Sequence, residues 1–223
     1  MKNLNQYLDQ TLLKPEATES EIRSFLEGVK KYGFYAIFIN PCWVELARKE
    51  LPEGSRIGSV VGFPLGASTM KAKAYAAEDL AKMGCAEIDM VMNIGRMKSG
   101  DYKYVGRDIK GVVGSAAGRV VKVIIETCLL TDHEKIVASR IIKESGARFV
   151  KTSTGLSREG ARVDDVRQIR AAVGPDFGVK ASGGIRDYES VIKFIDAGAN
   201  RIGTSAGEAI MEEYIAKSKG QRA

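Results

Sequence analysis

Two lysines stand at the ends of short, strand-like runs in the last third of the chain. Lys151 ends the run FVK, and Lys180 ends the run GVK. If both side chains face the inside of a sheet, burial and the like charge of the other lysine lower the pKa of each amine. A neutral lysine amine attacks carbonyl carbons and forms Schiff bases. The pair indicates amine-dependent carbonyl chemistry; the alternative is two solvent-facing strand ends, the commoner place for a lysine.

A carboxylate with a matching position lies in the segment EIDMVMN. Alternation along a strand places Glu87, Asp89 and Val91 on one side. A buried carboxylate needs a cation or hydrogen-bond donors, which the two lysines would supply. Asp89 could then shuttle protons, directly or through a water, as general acid and base; the alternative is a purely structural ion pair. Lys122 alternates in the same way in VVKVIIE and is, with Glu126, a further candidate for this network.

Three segments rich in glycine and hydroxyl side chains follow the last strand-like runs. They are STG at 153–155, SGGIR at 182–186 and GTS at 203–205. Backbone N–H groups near helix starts, together with one arginine, suit a phosphate group, and glycine lets the backbone approach it closely. A single glycine pair would indicate only a turn. Three such segments next to two lysines predict a phosphorylated small-molecule substrate.

The elements that must position these residues follow a regular alternation of β-branched runs and longer amphipathic stretches. Strands are predicted at residues 7–11, 36–39, 56–61, 87–92, 120–125, 149–151, 178–181 and 201–203. Helices are predicted to begin near residues 20, 41, 68, 100, 132, 163, 188 and 205. Thr18 and Glu21 have the spacing of a capping box. Glycines that suit left-handed C-caps follow four helices, at Gly33, Gly84, Gly146 and Gly198.

Eight strand-then-helix repeats without a linker predict an α/β fold, a single (β/α)8 TIM barrel that occupies residues 1–223 as one domain. In such a barrel the reactive groups lie at the carboxyl ends of the strands. The alternative is a doubly wound open sheet. It is disfavoured because no G-x-G-x-x-G follows the first strand and no G-x-x-x-x-G-K-[ST] occurs in the sequence.

Composition excludes several other function classes. The net charge of +6 is spread over interleaved lysines, arginines and acids without a basic run, so no nucleic-acid partner is expected. His133 is the only histidine and lies in TDHEK, which resembles an exposed helix start. Zinc sites and Ser-His-Asp catalysis therefore lack their usual residues. We predict no metal and no cofactor.

The chain also has the features of a cytoplasmic protein. The segment MKNLNQYLDQ has polar residues where a signal peptide needs an apolar core, and no segment is long and apolar enough to cross a bilayer. No membrane partner is expected. Cys42, Cys85 and Cys128 are single, without a C-x-x-C pair, so we expect small buried thiols in a reducing compartment and no disulfide.

Nine segments together carry a family resemblance. They are LDQTLLKPEAT, INPCWV, GFPLGAST, EIDMVMNIG, KSGDY, KVIIET, FVKTSTG, VKASGGIR and RIGTS. In this order and spacing the chain closely resembles the deoxyribose-phosphate aldolase family over nearly its whole length. The resemblance implies a class I (Schiff-base) aldolase of deoxyribonucleoside catabolism. Such an enzyme reversibly cleaves 2-deoxy-D-ribose 5-phosphate to D-glyceraldehyde 3-phosphate and acetaldehyde, and family members are often homodimers or homotetramers.

The resemblance also implies roles for particular residues. Lys151 matches the Schiff-base lysine, Lys180 the second lysine that perturbs it, and Asp89 the proton-relay carboxylate. The implied substrate-binding positions are Asp9, Thr11, Gly155, Gly183, Gly184, Ile185, Arg186, Gly203 and Ser205.

The chain departs from the family pattern at four places. Gln10 stands where many relatives have histidine, and Phe38 stands where many have a cysteine, which removes a thiol that could react with aldehyde. Ala206 replaces a second serine, and the tail SKGQRA lacks a terminal tyrosine; Tyr214 lies too early to be its equivalent. We expect these differences to affect rate and aldehyde preference rather than reaction class.

Two alternative functions remain from the sequence. One is a Schiff-base aldolase that acts on another phosphorylated sugar, because related barrels share the lysine and the phosphate segments. The other is a phosphosugar-binding barrel without catalysis. The second is disfavoured, since binding alone would not need a second buried cation.

Overall fold

The structure, a computed structural model, describes residues 3–220. Eight parallel strands close into one barrel, each strand bonded to its neighbours in sequence order and the last bonded to the first. The strands are β1 (Leu8–Leu12), β2 (Ala36–Ile39), β3 (Ile57–Val61), β4 (Glu87–Val91), β5 (Val120–Ile124), β6 (Phe149–Lys151), β7 (Gly178–Ser182) and β8 (Arg201–Thr204). This confirms the predicted TIM barrel.

The helices lie between and after the strands. In the described part of the chain they are α1 (Glu19–Tyr32), α2 (Val44–Glu50), α3 (Met70–Lys82), α4 (Ile94–Lys98), α5 (Tyr102–Ser115), α6 (Asp132–Glu144), α7 (Val163–Val173), α8 (Tyr188–Asp196) and α9 (Gly207–Gly220). Short 3₁₀ turns occupy Leu4–Tyr7, Pro41–Trp43 and Thr127–Leu129. The ends of the predicted domain, residues 1–2 and 221–223, lie outside the described residues, and the latter are the second half of the SKGQRA tail.

Local sequence signals explain where the helices begin and end. The Thr18 hydroxyl accepts a bond from the Glu21 N–H, and the Glu21 carboxylate accepts one from the Thr18 N–H, which completes the predicted capping box. All four predicted C-cap glycines have positive φ angles, between 59° and 107°. Helix α5 begins two residues later than predicted because Asp101 caps it by accepting a bond from the Tyr104 N–H.

Some small elements were not predicted from the sequence, and the burial predicted for two cysteines was wrong. Helix α4 has only five residues, too few for a periodic pattern. The helix predicted near Pro41 begins as a 3₁₀ turn and becomes α-helical only at Val44. Cys42 is exposed and Cys128 is half-buried, which corrects their prediction as buried thiols, whereas Cys85 is buried.

The register of the strands places the predicted reactive residues in neighbouring positions. Lys151 on β6 pairs with Lys180 on β7, and Asp89 on β4 pairs with Lys122 on β5. Ile88 and Met90 point the other way and join the apolar layer between strands and helices. The alternation predicted for β4 is therefore confirmed, and its acidic side chains face the barrel interior.

A buried ion pair between helices holds the end of β4. Lys73 on α3 donates to a carboxylate oxygen of Asp108 on α5 at 2.6 Å and to the Val91 carbonyl at 2.9 Å. Both side chains are completely buried. Burial lowers the pKa of Lys73 and raises that of Asp108, while their mutual contact opposes both shifts. The pair ties the two helices to the strand that carries Asp89.

We expect Asp108→Ala to destabilise the fold by roughly 3–5 kcal/mol, because the Lys73 ammonium would stay buried without a counter-charge. Urea denaturation at neutral pH measures the loss. Asp164→Ala is the control, since Asp164 pairs with Arg167 on an exposed surface and its removal should have little effect. Equal, small losses in the two variants would contradict a stabilising role for the buried pair.

Candidate active site

Two lysines meet one carboxylate inside the barrel. Lys151 Nζ lies 2.7 Å and Lys180 Nζ 2.8 Å from the same oxygen, Asp89 Oδ2. The other oxygen, Asp89 Oδ1, accepts a bond from Lys122 Nζ at 3.2 Å. All four residues are buried, Lys151 at 3% exposure and the other three at 0%. Both lysines predicted to be catalytic therefore contact the predicted carboxylate directly, and Lys122 belongs to the same network.

The surroundings of Lys151 favour a neutral amine. Burial lowers the pKa of Lys151, the Asp89 carboxylate opposes that shift, and the charges of Lys180 and Lys122 reinforce it, so the pKa falls to about 7. A large fraction of the amine is then unprotonated at neutral pH. An unprotonated amine is the form that adds to a carbonyl carbon.

The two partners of Lys151 are more firmly charged. Burial lowers the pKa of Lys180 to about 8, with Asp89 opposing the shift. For Asp89, burial favours the neutral acid, but Lys122, Lys151 and Lys180 outweigh it and hold its pKa below the ordinary value. Near neutral pH the site thus contains a carboxylate, a mostly protonated Lys180 and a Lys151 that is poised between its two states.

The aromatic ring of Phe38 packs against the buried lysines. The ammonium of Lys180 lies 3.8 Å and that of Lys122 4.4 Å from the centre of its ring. A ring face attracts cations at these distances. A side chain at Gly58 would lie 2.4 Å from the ring, so this glycine leaves the space that Phe38 occupies. The departure from the family pattern at Phe38 is therefore located inside the site.

A cavity of about 260 Å³ opens above Lys151. Its lining contains most of the residues predicted to bind substrate, which are Thr11, Gly155, Gly183, Gly184, Ile185, Arg186, Gly203 and Ser205. Gly155, Gly183 and Gly184 have positive φ angles of 83°, 94° and 78°. These backbone conformations strongly favour glycine. The predicted phosphate segments thus converge on one side of the cavity that Lys151 also lines.

Asp9 differs from the other predicted substrate-binding residues in its position. It is completely buried and is not among the residues that line the cavity. Its Oδ2 atom lies 2.6 Å from Lys180 Nζ, and its Oδ1 atom accepts a bond from Arg201. This location favours a role in holding Lys180 over contact with substrate.

Gly203 has a second structural reason to be glycine. A Cβ atom at this position would lie 2.9 Å from Lys180 Cε and 3.0 Å from Ser182 Cβ. The absence of a side chain therefore gives Lys180 the room to reach Asp89. The sequence prediction gave Gly203 only a phosphate-binding role.

Glu126 fixes one of the cavity loops instead of joining the lysine network. Its carboxylate accepts a bond from the Thr154 N–H at 3.2 Å and another from the Thr154 hydroxyl. Its backbone is left-handed, with φ at 53°, which is uncommon outside glycine. Burial raises the pKa of Glu126, against the lowering effect of the two bonds from Thr154. Glu126 thereby holds the segment that continues to Gly155.

Sequence reasoning missed some residues of the site. Lys14, Phe63 and Leu156 line the cavity, but each lies in a loop without a periodic pattern. Arg201 and Glu87 lie beneath the lysines, each at the first position of its strand. Alternation along β4 already places Glu87 on the same side as Asp89, but no role in the site was predicted for it.

Neither a membrane-spanning helix nor a metal-binding cluster is found in the described residues. Within residues 3–220, no helix combines the length and apolar character needed to cross a membrane. The same residues contain no group of three or more histidine, cysteine, aspartate or glutamate side chains arranged to hold a metal ion.

Fold and site together define a TIM-barrel enzyme with a lysine pair on a shared carboxylate below a glycine-lined cavity. The model of the DeoC/LacD family aldolases matches residues 4–213. A relative described as a deoxyribose-phosphate aldolase from Streptococcus sanguinis (strain SK36) is 54% identical over 94% of this chain and 96% of its own. The chain belongs to the DeoC/LacD family of aldolases, and it is an aldolase.

Solved structures agree with this assignment. A protein described as "QR15, an Aldolase" superposes with a TM-score of 0.94 at 38% identity and covers 98% of both chains. A deoxyribose phosphate aldolase from Aeropyrum pernix, described as having a unique tetrameric structure, superposes with a TM-score of 0.85 at 34% identity. It covers 93% of this chain and 89% of that chain. The likeness therefore extends over nearly the whole barrel.

The electrostatics of the site make a direct prediction. Reductive methylation requires an unprotonated amine, so Lys151 should react with a midpoint near pH 7, because its pKa is lowered to about 7. Peptide mass spectrometry across a pH series measures this midpoint. Lys82 serves as the internal control, since its exposed amine has a pKa raised by the Glu78 carboxylate and should react only at much higher pH. A Lys151 that follows the Lys82 curve would contradict the low pKa.

Proposed function

We propose that this aldolase reversibly cleaves 2-deoxy-D-ribose 5-phosphate to D-glyceraldehyde 3-phosphate and acetaldehyde through a Schiff base on Lys151. The observation that carries the proposal is the position of Lys151. Its amine lines the cavity floor, contacts a single carboxylate and has a pKa of about 7. Two relatives at 54% and 53% identity are described as deoxyribose-phosphate aldolases, which supports the proposal.

The first half of the reaction forms an imine. The neutral amine of Lys151 adds to the C1 carbonyl of the open-chain sugar, and loss of water gives the protonated imine. Burial, together with the charge of the neighbouring Lys180, keeps the pKa of Lys151 low, so the amine is available before substrate binds.

The second half breaks the bond between C2 and C3. Asp89 accepts the proton of the C3 hydroxyl, through a water, while the C2–C3 electron pair moves into the imine. D-Glyceraldehyde 3-phosphate leaves, and an enamine remains on Lys151. Protonation of the enamine at C2 and hydrolysis of the resulting imine release acetaldehyde and restore the free lysine.

The glycine-lined side of the cavity would bind the phosphate. Backbone N–H groups of Gly155, Gly183, Gly184 and Ile185 can approach a phosphate closely, and Arg186 adds a positive charge. Gly203 and Ser205 contribute from the end of β8, and Thr11 lines the cavity from the neighbouring strand β1. We assign Asp9 a positioning role through its contact with Lys180.

Further properties of the protein belong to the same proposal. We propose that residues 1–223 form one domain, that the enzyme acts in the cytoplasm in deoxyribonucleoside catabolism, and that it assembles as a homodimer or homotetramer. A homologous aldolase from Aeropyrum pernix is described as tetrameric, which supports a homo-oligomer.

The alternative substrate is another phosphorylated sugar cleaved by the same lysine. The description of the matching family names two aldolases, DeoC and LacD. The alternative is therefore another aldolase reaction within the same family. A panel of phosphorylated sugars assayed for retro-aldol cleavage separates the two. Release of acetaldehyde from 2-deoxyribose 5-phosphate, with the highest kcat/KM of the panel, is the result that the proposal requires.

Reduction with borohydride in the presence of 2-deoxyribose 5-phosphate should attach the sugar fragment to Lys151. Lys151→Ala should lose both the adduct and at least about three orders of magnitude in kcat, because the amine that forms the imine is removed. Lys71→Ala, on the exposed face of α3, is the matched control and should keep wild-type turnover. Turnover that persists without an adduct on Lys151 would rule out this mechanism.

Arg186→Ala should raise KM for the phosphorylated sugar by roughly tenfold or more, because a charged contact to the phosphate is lost. The value of kcat should change much less. Steady-state kinetics with 2-deoxyribose as a second substrate provide the comparison, since the unphosphorylated sugar should be affected little. An equal loss with both sugars would place Arg186 outside the phosphate site.

A further inference from the structure

Seven buried charges inside the barrel form a closed network that extends below the catalytic lysines. We call it the buried charge ring, and its members are Asp9, Glu87, Asp89, Lys122, Lys151, Lys180 and Arg201. Each member contacts at least one member of opposite charge. The ring joins strands β1, β4, β5, β6, β7 and β8.

The lower layer of this ring consists of Glu87 and Arg201. Each begins its strand, so both lie toward the amino end of the barrel, away from the cavity. Arg201 donates to Asp9 Oδ1 and lies 3.5 Å from Glu87 Oε1, and Glu87 Oε2 accepts from Lys122. Tyr35 covers the guanidinium at 3.4 Å from its ring centre. Neither lower residue can touch a substrate bound above Lys151.

Charge counting shows why the lower layer matters to the upper one. The ring contains three carboxylates and four cationic side chains. With every group ionised it carries one excess positive charge in a buried place, which is unfavourable. With one amine neutral, the positive and negative charges balance. The ring therefore favours the loss of one proton from one lysine.

The contacts select Lys151 as the amine that loses this proton. Lys180 contacts both Asp9 and Asp89. Lys122 contacts these two and also Glu87, and Arg201 contacts Asp9 and Glu87. Lys151 contacts only Asp89 within the ring. It is the cation with the least compensation, and it is the one that lines the cavity.

We propose that Glu87 and Arg201 are positioning residues that set the protonation state of Lys151 through the charge balance of the buried ring. Arg201 supplies a positive charge that disfavours a second proton at Lys151, and Glu87 supplies a negative charge that favours it. The inference rests on the proposed Schiff-base role of Lys151 for its catalytic meaning. Burial lowers the pKa of Arg201 to about 9, which still leaves its guanidinium charged at neutral pH.

All the charged groups around Lys151 enter this balance. From the strands they are Asp9, Glu87, Asp89, Lys122, Lys180 and Arg201, and from the loops Lys14, Glu126 and Arg186. The loop residues remain unchanged in the variants below. Only the lower layer is altered, at positions that do not line the cavity.

Substitutions of Glu87 and of Arg201 should shift the pH midpoint of Lys151 methylation in opposite directions. Glu87→Gln removes a negative charge, so protonation of Lys151 becomes less favourable and the midpoint should fall, by on the order of one pH unit. Arg201→Gln removes a positive charge, so the midpoint should rise by a similar amount. The double variant Glu87→Gln/Arg201→Gln keeps the charge balance and should return close to the wild-type midpoint.

The experiment measures the pH midpoint of Lys151 methylation by peptide mass spectrometry, together with the acidic limb of the kcat/KM profile. Asp165→Asn is the matched control, because Asp165 forms a similarly buried ion pair with Lys135 on the helices outside the barrel. This control should lose stability without moving the pH midpoint of Lys151 methylation. Labelling needs no substrate, so it tests the ring even if the proposed reaction fails; the borohydride adduct tests that reaction separately.

Opposite shifts that cancel in the double variant support the inference. Unchanged midpoints, or shifts of the same direction in both single variants, overturn it. If Arg201→Gln does not fold, Glu87→Gln decides alone: a lower midpoint supports the ring, and an unchanged or higher midpoint overturns it. Arg201→Lys retains the charge and should stay close to wild type, which distinguishes charge from shape.

Discussion

The contact between Asp89 and two lysines is the interaction on which the rest of this structure depends. One carboxylate oxygen lies within 2.8 Å of both Lys151 and Lys180. Without the carboxylate, two buried ammonium groups on paired strand positions would repel each other. With it, both lysines remain inside the barrel, and one of them can still lose its proton near neutral pH. The attraction of Asp89 is thus strong enough to keep both lysines inside the barrel, but it does not keep both of them protonated.

The barrel supplies the geometry that this interaction requires. Only a closed sheet brings β4, β6 and β7 to face one another across a common interior, and parallel strands direct their carboxyl ends to one side. Small residues make the remaining room. Gly203 leaves space for the Lys180 side chain, and Gly58 leaves space for the Phe38 ring beneath the amines. At the base of this interior, Arg201 donates to Asp9, and Glu87 accepts from Lys122.

Much of this arrangement could be predicted from the sequence because it follows from local periodicity. Alternation along β4 identified Asp89, and the order of strands made Lys151 and Lys180 neighbours. The side-chain contacts that barrel closure creates could not be predicted from the sequence. Asp9 and Arg201, for example, are in contact although they are 192 positions apart. The need for small residues beside large ones could not be predicted either, because the sequence around Gly203 or Phe38 does not indicate which side chains pack against them. The residue roles themselves remain predictions, supported by the geometry and by the family.

A crystal structure of the borohydride-reduced complex tests the central claim most directly, because it locates the covalent bond and the phosphate in one measurement. We expect a single C–N bond between sugar C1 and Lys151 Nζ, with Asp89 and Lys180 still in contact beside it. The phosphate should lie against the backbone of Gly155, Gly183 and Gly184. A bond to Lys180 or to any other lysine, or a phosphate bound away from these glycines, would contradict the proposed site.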